Sequence, residues 1–246
     1  MGKVKQSAFL VVFPSIIPSN PLLAMKINMN HNSILDEILG ENHLSPASKS
    51  LLRPDVFALS GKEKIKIISE KFREIMVTLG LDLTDDSLNG TPERVAKMYV
   101  NELFSGLDPG NKPEATLFDN NYQYNQMIVE KNITLYSTCE HHFVPIIGKA
   151  QVAYISSGKV IGLSKLNRIV HYFSKRPQVQ ERMTMQIAEE LKSILKTDDV
   201  AIVIEADHLC VQSRGIRDTN SSTITSYYSG KFNSETTRVE FLNYIR

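Results

Sequence analysis

The sequence predicts an α+β fold, in which an antiparallel sheet carries helices on one face and is preceded by an N-terminal helical extension. Apolar residues recur at helical spacing between residues 60 and 106, and from Met127 onward they alternate with polar residues instead. The same change is repeated later, where two helical segments separate one pair of alternating segments from a second pair. This order of helices, strand pair, helices and strand pair is typical of α+β domains.

The first two helices have recognisable start and stop signals. Ser60 and Glu63 have the spacing of a capping box, and the helical apolar pattern that follows ends before Gly80. The second helix is predicted with Thr91 as its N-cap, a proline at its first position and an end near Gly106. We interpret these two helices as an extension that precedes the sheet.

The sheet and its covering helices follow. Alternating apolar residues predict strands at residues 127–135, 148–154, 200–206 and 223–229. Between the second and third strands, Ser164 is predicted to cap one helix and Pro177 to open a longer one. Two apolar-faced helices between two strand pairs favour a sheet that is covered on one side.

The composition narrows the class of protein. The chain has 246 residues and 42% hydrophobic content, which is enough for one large domain with a core. Its 28 Lys and Arg residues nearly balance 27 Asp and Glu residues, so we expect neither nucleic acid nor an anionic membrane as a partner. No apolar run approaches the roughly 20 residues of a membrane span. Two cysteines are too few for a disulfide framework, so each calls for another explanation.

Residues 1–59 are predicted to form an N-terminal arm ahead of a single domain at residues 60–246. The basic start and the apolar run 8–13 resemble a signal peptide, but Pro14 interrupts the run. Met25 offers an internal start, so we expect the residues before it to be partly disordered or an artefact. Free thiols suit a reducing compartment, and we expect a cytoplasmic protein.

The two cysteines belong to a pattern with the residue types of a metal site. Cys139 and His142 lie three residues apart after one predicted strand, and Cys210 follows another. Cys and His are preferred zinc ligands, and a catalytic zinc uses three of them and leaves one position for water. A structural zinc normally has four ligands, and His141 or His208 could supply the fourth. The residue types alone leave the catalytic and the structural site equally open.

Five segments closely resemble the GTP cyclohydrolase I family. They are residues 91–97, 137–143, 162–168, 176–182 and 213–217, with His208 and Cys210 in their expected places. The resemblance covers about residues 60–246. It implies a tunnelling fold and the conversion of GTP and water to formate and 7,8-dihydroneopterin triphosphate, the first step of pterin and tetrahydrofolate biosynthesis.

The resemblance also implies roles for the metal-site residues. Cys139, His142 and Cys210 match the family's zinc ligands, and His141 and His208 match its proton-handling histidines. Zinc would activate a water for attack on C8 of guanine, while a histidine protonates N7. His208 is our first choice for that donor, and His141 for assisting ring opening and formate release.

Substrate contacts are implied in the same way. Glu181 resembles the carboxylate that accepts from the guanine N1–H and 2-amino groups, and Gln180 beside it would add a base contact from its amide. Lys165, Arg168 and Arg214 match the family's triphosphate contacts, which a nearly neutral protein must supply as a local cationic cluster.

The remaining implications concern Ser164 and the assembly of subunits. Ser164 would act as both a helix cap and a proton relay, and Arg94 and Lys97 would reach the phosphates from an adjacent subunit. The resemblance implies a homodecamer of stacked pentameric barrels with active sites between subunits. Two alternatives are another tunnelling-fold enzyme, such as a pterin synthase or a nitrile reductase, and a noncatalytic zinc-stabilised assembly protein.

Overall fold

The computed structural model describes residues 52–53 and 59–246. The prediction of an N-terminal arm, including the expectation for residues before Met25, therefore lies almost wholly outside the described residues. The described α-helices are α1 (Gly61–Thr78), α2 (Thr91–Met98), α3 (Leu163–Ser174), α4 (Gln180–Leu195), α5 (Leu209–Gln212) and α6 (Glu235–Ile245). A π-helical turn (Tyr99–Leu103) continues α2. The described strands are β1 (Leu117–Asp119), β2 (Met127–Cys139), β3 (Pro145–Ile155), β4 (Lys159–Ile161), β5 (Pro177–Gln178), β6 (Val200–His208) and β7 (Thr223–Tyr228).

The described strands form a main sheet of five strands and a small sheet of two. The main sheet has the order β5-β2-β3-β6-β7, and β1 pairs with β4. The four long strands are antiparallel neighbours, which confirms the prediction of an antiparallel sheet. The short β5 adds a parallel pair at the end of β2. None of the described helices is long and apolar enough to cross a bilayer.

The capping box at the start of α1 is confirmed. The Glu63 amide donates to the Ser60 hydroxyl at 3.3 Å, and the Ser60 amide donates to the Glu63 carboxylate at 2.7 Å. The predicted cap of α2 is wrong by one residue, because Gly90 is the N-cap and Thr91 is already helical. The Gly90 carbonyl accepts from the Arg94 amide at 3.1 Å and so closes the first turn.

Two predicted helix starts after β3 are also wrong. Gly162, not Ser164, is the N-cap of α3, because the chain leaves β4 at this glycine and its carbonyl accepts from the Lys165 amide at 2.8 Å. Pro177 does not open α4. It lies in β5, opposite Thr138, and α4 begins only at Gln180. Proline has no backbone N–H to donate to a neighbouring strand. An edge strand such as β5 tolerates this, because one of its sides is unpaired.

The two faces of the sheet bury different clusters. Helices α3 and α4 cover one face, where side chains such as Val152, Tyr154 and Ile202 are buried. The alternate side chains of the same strands pack on the other face with Phe232 and Phe241. The expectation of helices on one face is therefore confirmed for α3 and α4 and wrong for α6, which carries Phe241 on the opposite face. The sequence pattern did not predict α6.

Replacing Phe241 with alanine should lower the free energy of unfolding by about 3–5 kcal/mol, because a buried ring would leave a cavity. This ring is fully buried and lies 5.8 Å from the Phe232 ring, centroid to centroid. Val239→Ala on the same helix is the control, since Val239 is 48% exposed, and it should change stability by no more than about 0.5 kcal/mol. Urea denaturation followed by circular dichroism measures both, and equal effects would contradict a role for α6 in the core.

Candidate active site

The three predicted metal ligands lie together at one end of the main sheet. Cys139 is the last residue of β2, His142 lies in the turn between β2 and β3, and Cys210 lies on α5 directly after β6. The ligand atoms of these residues all lie within 4.8 Å of one another. Two thiols and an imidazole are donors that zinc prefers, and three is the number that a catalytic zinc takes from protein. The residues therefore fit a zinc ion.

Strand pairing brings these residues together. In the register of β3 and β6, Ile146 lies opposite His208. The start of β3 and the end of β6 therefore lie at the same end of the sheet. The turn after Cys139 is closed by two backbone hydrogen bonds of 2.9 Å, from the Cys139 amide to the Val144 carbonyl and from the Phe143 amide to the Cys139 carbonyl.

Aromatic packing holds that turn against the end of α2. Phe143 has a positive φ of 55°, and its ring lies 5.4 Å from the Phe104 ring and 6.5 Å from the Tyr99 ring, centroid to centroid. A positive φ at a phenylalanine is uncommon and must be stabilised by its surroundings. The packing of the Phe143 ring against these two rings provides that stabilisation. The turn that carries His141 and His142 is therefore held by aromatic contacts as well as by its own hydrogen bonds.

The electrostatics of the group favour neutral forms in the absence of a cation. Burial and the neighbouring Cys139 thiol raise the pKa of Cys210 to about 11, against a smaller lowering effect of Arg214. Burial, Arg214 and His141 lower the pKa of His142. A neutral imidazole is the form that binds metals, and a bound cation would favour the deprotonated thiols. Thiol ionisation and metal binding are therefore coupled at this site.

His208 is anchored by the first residue of α4. Its Nε2 lies 2.8 Å from Oε1 of Gln180, whose side chain is buried. Burial lowers the pKa of His208, and the charges of Glu181 and Asp207 oppose that effect. Glu181 is exposed at the start of α4, so its carboxylate is accessible on the side of the helix near His208. Gln180, by contrast, uses its amide within the chain, and the predicted base contact from it stays a prediction.

The predicted phosphate contacts divide into two sets. Arg214 follows α5 and is close enough to His142 and Cys210 to influence the pKa of each. Ser164, Lys165 and Arg168 lie instead in the first half of α3, at the opposite end of the sheet.

The position of α3 follows from its contact with β2. Asn167 Nδ2 donates to the Glu130 carboxylate at 3.5 Å, and Glu130 precedes Cys139 by nine positions on β2. At about 3.3 Å per residue, this is a separation of roughly 30 Å. Within one chain, the structure does not bring the α3 residues to the metal group.

Arg94 and Lys97 make local contacts on α2. Arg94 donates to the Ser87 carbonyl at 3.0 Å and to the Thr91 hydroxyl at 2.8 Å. Lys97 pairs with Glu93 at 2.7 Å across one helical turn. Both partners of that ion pair are more than half exposed, so the contact is weak enough for a ligand to replace it.

Comparison with known proteins decides the family. Residues 68–246 match the model of a family described as GTP cyclohydrolase I. The chain belongs to the GTP cyclohydrolase I family. It is 60% identical over 218 residues to GTP cyclohydrolase 1 of Flavobacterium johnsoniae, covering 89% of this chain and 97% of the relative.

Two Vibrio relatives are similar as well. GTP cyclohydrolase 1 of Vibrio parahaemolyticus is 54% identical over 196 residues, or 79% of this chain and 89% of the relative. GTP cyclohydrolase 1 of Vibrio cholerae is 56% identical over 185 residues, or 75% of this chain and 85% of the relative. These relatives are enzymes, and the chain is a member of an enzyme family.

One ion pair in this family member escaped the sequence analysis. Glu140, between Cys139 and His141, pairs with Arg182 of α4, and both side chains are largely buried. The Glu140 amide donates to the Gln178 carbonyl at 3.2 Å, and Arg182 Nε donates to the Gln178 side chain at 3.0 Å. Both residues lie in segments that carried the family resemblance, which was the signal available. The pair ties the histidine-bearing turn to β5 and α4.

Replacing Arg182 with methionine should lower the free energy of unfolding by about 3–5 kcal/mol, because, among the described residues, the buried Glu140 carboxylate would keep only the His141 imidazole, 3.9 Å away, near it. The double variant Glu140→Gln/Arg182→Met should recover most of that loss, since no unpaired charge remains. Urea denaturation measures each variant.

The matched control breaks an exposed ion pair. Lys71→Met removes the partner of Glu74 on α1, where both side chains are more than 60% exposed, and should cost less than about 1 kcal/mol. Equal stability of Arg182→Met and Lys71→Met would show that the Glu140–Arg182 pair does not hold the turn.

Proposed function

We propose that this protein is a zinc-dependent GTP cyclohydrolase I that converts GTP and water to formate and 7,8-dihydroneopterin triphosphate. In this proposal it performs the first step of pterin and tetrahydrofolate biosynthesis, in the cytoplasm, and has the tunnelling fold. The observation that carries the proposal is the convergence of Cys139, His142 and Cys210, with ligand atoms within 4.8 Å of one another, in a member of this family.

The geometry favours a catalytic zinc over a structural one. Within residues 52–53 and 59–246, the candidate metal group comprises three residues, which is one ligand short of a closed structural site. Neither His141 nor His208, the two candidates for a fourth ligand, belongs to that group. When bound, zinc would supply Lewis-acid activation of the water that attacks C8 of guanine.

The residues around the group would handle protons and the base. His208 would deliver a proton to N7 of guanine, and His141, in the turn beside the ligands, would assist ring opening and formate release. Glu181 would accept from N1–H and the 2-amino group of guanine. Glu181 follows Gln180, whose side chain contacts His208 at 2.8 Å, and this position would place the carboxylate and the histidine beside the same purine. Arg214 would bind the triphosphate next to the metal.

The positions of the remaining predicted substrate contacts support a site shared between subunits. A GTP at the metal group would be out of reach of Ser164, Lys165 and Arg168 of the same chain, because roughly 30 Å of β2 separates Glu130, which contacts α3, from Cys139. A second copy would have to supply them. The main sheet offers a route to such assembly, since β7 is an edge strand of the described sheet and β2 pairs with β5 over two residues. Open edges of this kind favour pairing between copies, as in the proposed pentameric barrels and homodecamer, with Arg94 and Lys97 also acting on a neighbour.

The purified protein should release formate from GTP and leave a product that becomes a fluorescent neopterin after oxidation and dephosphorylation. Cys139→Ala, His142→Ala and Cys210→Ala should each lose zinc and turnover, because a three-ligand site cannot spare a donor. His141→Ala is the matched variant, which should keep zinc while its rate of formate release falls about 10²-fold or more.

Zinc content by atomic emission and formate release distinguish the alternatives. A wild-type protein that binds zinc but leaves GTP intact would contradict the proposed activity and favour a pterin synthase, a nitrile reductase or an assembly protein. Full zinc in an active Cys210→Ala variant would remove Cys210 from the ligand set.

Mixing two inactive variants should restore activity if each site draws on two copies. With His208→Ala and Arg168→Ala chains exchanged at equal amounts, about a quarter of sites would have both residues intact, by symmetry of a closed oligomer. The control mixes His208→Ala with His141→Ala, whose changes lie at the same end of one chain and should not complement. Light scattering should give a particle of about ten chains. A failure of rescue despite confirmed subunit exchange would place Arg168 outside the shared site.

A further inference from the structure

The side-chain amide of Gln180 is surrounded by partners that distinguish its nitrogen from its oxygen. Nε2 of Gln180 donates to the Ile204 carbonyl at 3.1 Å and to the Thr223 carbonyl at 3.0 Å. It also lies 3.1 Å from the Thr225 hydroxyl. The residue is 1% exposed, so water does not compete for these contacts. A carbonyl oxygen only accepts, and the group that faces two carbonyls must therefore be the amide NH₂.

The Thr225 hydroxyl is consistent with the same orientation. Thr184 Oγ1 lies 2.8 Å from the Gln180 backbone carbonyl, which can only accept, so the Thr184 proton is used there. The 2.7 Å contact between the Thr184 and Thr225 hydroxyls then takes its proton from Thr225. Thr225 therefore presents a lone pair to the Gln180 amide nitrogen, whose two hydrogens are shared among three acceptors.

With its nitrogen held in this way, Gln180 turns its oxygen toward His208. Oε1 lies 2.8 Å from Nε2 of His208, and an amide oxygen can only accept a hydrogen bond. The proton of this contact must therefore sit on Nε2 of the imidazole. In a neutral histidine one ring nitrogen carries the proton and the other the lone pair, so the lone pair belongs to Nδ1.

We propose that Gln180 is a positioning residue that holds His208 as the Nε2–H tautomer and so reserves Nδ1 for proton exchange with the substrate. This inference rests on the proposed function for the identity of the substrate. It replaces the predicted base contact from the Gln180 amide with a role exerted through His208. A buried hydrogen bond that orients a catalytic histidine does more than stabilise the fold, because it decides which ring nitrogen reacts.

Nitrogen NMR of the zinc-loaded protein, labelled with ¹⁵N-histidine, tests the tautomer directly. The His208 signals are assigned by their loss in His208→Asn and recorded with the histidines neutral. The wild type should show the Nε2–H form, and Gln180→Leu should show a mixture of both forms. An Nδ1–H form in the wild type would overturn the proposal, and this outcome needs no variant to fold.

The matched control alters the same network without touching the oxygen that faces His208. Thr225→Val removes one acceptor of the amide nitrogen and leaves both carbonyls, so the Nε2–H form should persist. If Thr225→Val and Gln180→Leu both leave the His208 signals as in the wild type, Gln180 has only a structural role and the proposal is wrong.

Kinetics separate positioning from substrate binding. Gln180→Leu should lower kcat for formate release about 10–100-fold, with zinc content unchanged and KM for GTP within about twofold, because the histidine and not the ligand loses its partner. A raised KM with unchanged kcat would instead support the base contact. A wild type without turnover would refute the proposed function while leaving the NMR result to decide the tautomer.

Discussion

The pairing of β3 with β6 is the constraint on which the candidate site depends. It places Ile146 beside His208 and therefore brings the turn after Cys139 next to the segment that begins with Leu209. A slip of one residue would turn every side chain of β6 to the other face of the sheet. Position 148 accepts only glycine in this register, because a Cβ there would lie 2.2 Å from the Glu205 carbonyl oxygen. The metal group is thus a consequence of strand register.

Residues 178–180, at the end of β5 and the start of α4, connect both halves of the site. On the side of the β2–β3 turn, the Gln178 side chain accepts a hydrogen bond from the Arg182 guanidinium. The Gln178 backbone carbonyl accepts a second one from the Glu140 amide. Gln180, two residues later, binds His208 on the side of β6. Both glutamines are buried and hydrogen-bonded, as buried polar groups must be. The segment therefore holds the two histidine-bearing segments at fixed positions relative to each other.

Much of this arrangement could be predicted from sequence, and the exceptions have physical reasons. Alternation predicted the four long strands, and the spacing of Cys139 and His142 predicted a metal site, because both signals are local. The distance between Cys139 and Lys165 could not be predicted, since it depends on how α3 lies along β2. The hydrogen bonds of the Gln180 side chain could not be predicted, because its three acceptors come from elements far apart in the chain. The face chosen by α6 likewise depends on packing alone.

The position of α6 has a practical consequence for handling the protein. Its partners Ile155 and Ala201 lie near the end of β3 and the start of β6, whereas the thiols lie at the start of β3 and the end of β6. A hydrogen bond from a side chain to the backbone is consistent with this placement, since Lys131 Nζ donates to the Tyr244 carbonyl at 3.1 Å. A purification tag or fluorescent fusion joined to the end of α6 would leave the chain at the end of the sheet remote from Cys139 and Cys210. Such a label would lie far from the thiols of its own chain.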